Sequence, residues 1–91
     1  MKLLDFIKII FRYASLPVFT IVIKNGISTL SQGNAPDKLV SEFSSISQNQ
    51  NISKGIIYGI KDDNRIILDF SSSISDGDRQ RFRNILNCYK L

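Results

Sequence analysis

The 91 residues contain no histidine and a single cysteine, Cys88, so much of ordinary side-chain chemistry is absent from the start. Histidine is the commonest general base and metal ligand, and a thiol without a neighbouring base is a poor nucleophile. One cysteine also forms no intrachain disulfide. Asp62-Asp63-Asn64 gathers two carboxylates, but it lacks the ligand count and the following glutamate of a calcium loop, and reads as a hairpin turn. Ser71-Ser72-Ser73 has no base beside it and reads as a solvated crossing between elements. Gly55 and Gly59 flank a strand rather than a strand-to-helix turn, which excludes a phosphate-cradling loop. Close backbone approach or a bulge is the better use for them. Cys88 falls on the polar side of a terminal helix. Together these residues point to a protein that is not an enzyme, with no catalytic residues, no cofactor and no metal.

Two surfaces remain on which chemistry of recognition could work. The first is the N-terminal segment, where Lys2, Asp5, Lys8 and Arg12 fall within an arc of about 120° at helical spacing. The wide remaining arc carries Leu3, Phe6, Ile7, Ile10 and Phe11, so this segment suits a membrane interface or a partner, with Lys8 and Arg12 at its rim. Three internal charges followed by Pro17 argue against a membrane span. Asp5 and Lys8 likewise interrupt the apolar run that a cleaved signal needs. A plainer use of the same helix is to cover an exposed face of its own sheet. The second surface is basic: Arg79, Arg83 and Lys90 project within about 40° of one another on the last helix, and Arg81 projects from another side. Such a stripe suits phosphates, with Tyr89 as a stacking face, although arginines beside an apolar stripe are commonly solvated or paired with acids.

The elements that must position these residues follow from periodicity. Asn25-Gly26 between apolar-alternating runs over 19–32 is a strong hairpin signal, since a type I′ turn needs positive φ at both central positions. Two-residue pairing there sets Ile21 opposite Leu30 and Val22 opposite Thr29. Asn34 or Ala35 then caps a helix with Pro36 in its first turn, and Leu39, Val40, Phe43 and Ile46 mark its buried stripe. That helix dissolves into a polar loop over 47–51. A second hairpin follows: Ile56, Tyr58 and Ile60 alternate with Ile57, Gly59 and Lys61, then Ile66, Leu68 and Phe70 alternate with Ile67 and Asp69. Ser75 and Asp78 stand at capping-box spacing, and Phe82, Ile85, Leu86 and Tyr89 form the apolar stripe of the helix they open.

The expected fold is therefore α+β: a two-layer, four-stranded antiparallel sheet in ββαββα order with an additional N-terminal amphipathic helix. Residues 1–16 form that helix and 17–91 a single α+β domain. Val22, Ile27, Ile57 and Ile67 are expected on the sheet face away from the two later helices. The net charge of +4 is concentrated at the ends: Lys2, Lys8 and Arg12 outnumber Asp5, and Arg79, Arg81, Arg83 and Lys90 outnumber Asp76 and Asp78. Such a balance favours anionic partners without selecting one.

The chain resembles a bacterial family of small uncharacterised proteins, domain of unknown function family 3634. Asn25-Gly26, Gly33 and Pro36 carry the resemblance, with Gly55-x-Ile57-x-Gly59, Arg65-x-x-Leu68-x-Phe70-Ser71-x-x-Ile74 and Gln80-Arg81-x-Arg83-Asn84. The resemblance implies no catalytic site, and members often begin with an apolar membrane-anchoring segment. This chain departs in having a short, charged N-terminal segment, Ser75 where a proline often follows the isoleucine, and Ile85 where a bulkier aromatic often follows Arg-Asn.

The reading that emerges is a small interaction protein, cytoplasmic, at the periphery of a membrane or docked on a protein partner through its N-terminal helix. An RNA-binding module using Arg79, Arg81, Arg83 and Lys90 is the alternative from a different class.

Overall fold

A computed structural model describes residues 16–89 of the chain. The N-terminal amphipathic helix expected over residues 1–16 falls almost wholly outside the described residues, as does Lys90. The elements run β1 (Phe19–Lys24), β2 (Ile27–Gly33), α1 (Asp37–Asn49), β3 (Lys54–Asp62), β4 (Arg65–Phe70) and α2 (Asp76–Leu86). The order across the sheet differs from the order along the chain. All strands pair antiparallel as β2-β1-β3-β4, so the two central strands come from different hairpins and the edges are β2 and β4.

Both turns form as their residue types demand. Asn25 and Gly26 take positive φ of 52° and 77°, the left-handed geometry of a type I′ turn. The register places Ile21 opposite Leu30 and Val22 opposite Thr29, then slips between Thr20 and Ile21, where a bulge brings Gln32 opposite Thr20. In the second hairpin Asp62 pairs with Arg65 around Asp63-Asn64, and Asp63 takes the positive φ of 56°.

Both helices lie on one face. Phe19, Ile21, Ile23, Ile57, Leu68 and Phe70 from the sheet share one core with Leu39 and Phe43 of α1 and Phe82 and Leu86 of α2. Phe82 sits at the centre, its ring centroid 5.0 Å from Phe43 and 6.1 Å from Phe70. The sheet's other face carries a second buried cluster of Ile56, Tyr58 and Ile60, with Ile67 packed against it. Ile57 thus belongs beneath the helices, not on the far face with Val22 and Ile67. Pairing decides this, because Ile57 lies opposite Ile21 and Ile56 opposite Val22. Gly59 falls on the same side as Ile57, directly under the Phe19 ring, where any Cβ would collide with the aromatic carbons. Close approach is its role.

The helix ends differ in how they are satisfied. Ser75 caps α2, its Oγ accepting from the Asp78 N–H at 3.3 Å, with Asp76 and Asp78 in the first turn. At α1 the cap position is Pro36, one residue later than Asn34 or Ala35 allowed, and it makes no side-chain cap bond. The helix also runs on to Asn49, with Ser47 buried inside it and its hydroxyl turned back to the Phe43 carbonyl at 2.9 Å.

Candidate functional site

Arg79, Arg81 and Arg83 stand on one short helix but do three different things. Arg79 is committed to the backbone: its Nε donates to the Ile74 carbonyl at 2.8 Å and its Nη2 to the Ser71 carbonyl at 3.1 Å. It thereby ties the start of α2 to the crossing that follows β4. Ser71 is buried there, not solvated as its serine-rich neighbourhood suggests. With its carbonyl used by Arg79, its hydroxyl accepts the Ile56 N–H at 2.9 Å and extends the ladder by a side chain. Arg81 points away and pairs with Asp78 at 3.2 Å, an exposed contact within one helical turn. Such pairs contribute little.

Arg83 is the one of the three left for a ligand. Its Cζ lies 5.3 Å from the centroid of the Phe70 ring, beside that of Arg79 at 5.5 Å. The ring orients the guanidinium by cation–π attraction without consuming its donors. Among the described residues Arg83 forms no ion pair or side-chain hydrogen bond. It borders a groove of about 470 Å³ between β4 and α2, lined by Asn64, Arg65, Ile66, Leu68, Gln80 and Leu86 among others. Arg65 begins β4 and is likewise without an acidic partner among the described residues. Among the described residues no aspartate or glutamate lines the groove, and Arg83 and Arg65 border it without an acidic partner. Tyr89 closes its far end. Burial and the Glu42 carboxylate of α1 hold the Tyr89 phenol above its ordinary pKa.

The groove's wall is a strand edge. Asp62 with Arg65 flank a two-residue turn and Ser71 donates to the Ile56 carbonyl at 3.0 Å, so Arg65, Ile67 and Asp69 turn their backbone groups toward β3. Ile66, Leu68 and Phe70 therefore turn theirs outward. Asp69 Oδ1 accepts the Phe70 N–H at 2.8 Å. The outward N–H and C=O groups of Ile66 and Leu68 have no partner among the described residues.

The candidate residues of the sequence thus separate. Arg79 and Arg81 are occupied within the fold, Arg83 reaches the groove, and Lys90 lies outside the described residues with Leu3, Phe6, Ile7, Lys8, Ile10, Phe11 and Arg12. Sequence reasoning missed Arg65, Gln80 and the β4 edge. Arg65 and Gln80 appeared only within the family motifs, and nothing in a linear pattern says that the strand Arg65 begins is an outer one. Among the described residues no helix is long and apolar enough to cross a membrane. No three His, Cys, Asp or Glu side chains among them gather to hold a metal. Cys88 is an exposed free thiol bonded only to the Asn84 carbonyl, at 3.6 Å.

No curated protein and no solved structure matches the chain. The family described as "Protein of unknown function (DUF3634)" matches residues 3–90, nearly the whole sequence, and the chain belongs to that family.

Proposed function

We propose that this is a small, non-enzymatic interaction protein of the cytoplasm that binds another protein along the groove between β4 and α2. The observation that supports the reading is the pairing of two arginines, Arg65 and Arg83, with the outward backbone groups of Ile66 and Leu68 on the neighbouring strand edge, none of which has a partner among the described residues. A protein partner uses both features at once, whereas a phosphate backbone uses only the charge. The RNA-binding alternative draws less support, since Arg79 is tied to two backbone carbonyls and Arg81 pairs with Asp78. The apolar N-terminal arc, Leu3 to Phe11 with Lys8 and Arg12, supplies a second contact with an anionic membrane surface or the same partner, on the strength of its sequence pattern.

The test compares the native chain with an Arg65→Glu/Arg83→Glu double variant and with Phe6→Glu. Proteins retained by the native chain after nuclease treatment are expected to be lost by the double variant. Retention that survives the double variant but not Phe6→Glu, together with pelleting on anionic vesicles, would move the function to the N-terminal segment. Binding that disappears with nuclease and falls steeply with salt would replace the reading with RNA recognition.

A further inference from the structure

The two edges of a sheet are its open valences, and native chains normally block them. In this sheet β2 is blocked at Ser28. Ser44 of α1 donates its hydroxyl to the Ser28 carbonyl at 3.3 Å and accepts the Ser28 N–H at 2.7 Å, using both outward groups of that residue. A bulge beside Thr20 further breaks the regularity of that edge. Among the described residues the only block at β4 is the Asp69 carboxylate on the Phe70 N–H. Ile66 and Leu68, two residues apart, are left with the repeat that an added strand would pair with.

What lies beside that edge indicates what fits it. Ile66 and Leu68 are on the helix side, with Leu86 beneath α2 forming the apolar floor of the groove. Arg83 stands above on the helix side, and Arg65 stands at the strand's start on the opposite face of the sheet. A strand laid along β4 would therefore meet Arg83 and an apolar strip on the helix side, and on the other face Arg65 at the start of β4 with the Asp69 carboxylate four residues further on. Successive side chains of a strand alternate between faces, so an acidic residue suits Arg83, an aliphatic residue suits the strip, and on the far face an acidic residue suits the Arg65 end of β4, away from Asp69. Basic edge residues ordinarily discourage pairing between like copies of a chain, and here they select an acidic strand instead.

We propose that the β4 edge accepts an extended, acidic segment of a partner protein as a fifth antiparallel or parallel strand, with Arg83 and Arg65 reading its carboxylates. This rests on the reading of the groove as a protein-binding surface and names the partner's chemistry and conformation. Backbone pairing to Ile66 and Leu68 supplies the affinity, and the two arginines set the sign of charge that is accepted. Six residues of β4 limit the paired length to about 20 Å, which a partner segment of about six residues spans.

The experiment uses the full chain and synthetic peptides of about six residues that alternate glutamate with valine, read by amide hydrogen exchange and by titration. The glutamate/valine peptide is expected to slow exchange of the Ile66 and Leu68 amides at least about tenfold while leaving Ser28 unchanged. The lysine/valine counterpart is expected to have no such effect. Methylating alternate backbone nitrogens of the acidic peptide should abolish protection by removing its donors. Arg83→Glu, an exposed substitution that leaves the core alone, should weaken acidic binding about tenfold and transfer preference toward the lysine peptide. If the acidic peptide binds and depends on Arg83 while Ile66 and Leu68 exchange as before, strand addition is wrong although the protein-binding groove stands. If no acidic peptide binds and a single-stranded RNA protects the groove instead, both fail together.

Discussion

β2 and β4 are both outer strands, formed by hairpins of similar length, yet among the described residues only β2 has an outward N–H and carbonyl, those of Ser28, occupied by a helix side chain. Ser44 reaches from α1 to satisfy Ser28 on both its N–H and its carbonyl. On the other side α2 sits behind a groove, Arg83 is held by the Phe70 ring, and the outward groups of Ile66 and Leu68 face solvent among the described residues. One helix closes an edge and the other frames one. The difference teaches that in so small a sheet, where a helix places a single hydroxyl decides which strand is finished and which is available. The pairing between strands is alike on both sides, so propensity does not explain it.

The largest effect should come from removing the support that both sides share. Phe82→Ala would empty the contact among Phe43, Phe70 and Phe82, and is expected to cost about 3–5 kcal/mol in urea unfolding. A loss below about 1 kcal/mol would show that the two helices hold their edges independently. Next in size, Ser44→Ala would open β2. The unsatisfied Ser28 N–H should cost about 1–2 kcal/mol, and its amide should exchange at least about tenfold faster, making β2 resemble β4. Unchanged Ser28 exchange would break the contrast outright. The smallest effect is expected at Arg81→Ala, which removes only the exposed pair with Asp78. Less than about 0.5 kcal/mol should be lost, and acidic-peptide binding should be unaffected. A binding loss comparable to that of Arg83→Glu would mean that the basic face acts as a diffuse field and not through the groove.

Much of the fold was legible because its causes are local. Asn25-Gly26 dictates a turn that requires positive φ twice, and Ser75 with Asp78 dictates a cap within one helical turn. The period of two around Asp63 and the period of 3.6 through Phe82 and Leu86 determine element type, since each depends only on neighbours in the chain. The sequence alone therefore specified four strands, two helices and their chain order, and it singled out Arg83 as one of four basic residues to consider.

Only the tertiary structure decided what those elements do to one another. Placing β1 beside β3 put Ile57 beneath the helices and Ile56 on the far face, because pairing register is a contact between residues more than thirty positions apart. The same pairing made β4 an outer strand and so set Arg65, at its start, beside a groove. It also separated arginines that look equivalent on a helical projection. Arg79 found two carbonyls and Arg81 an aspartate, while Arg83 found an aromatic ring and kept its donors. Local periodicity records which side of a helix a residue leaves from. Whether a partner waits there depends on chain brought in from elsewhere.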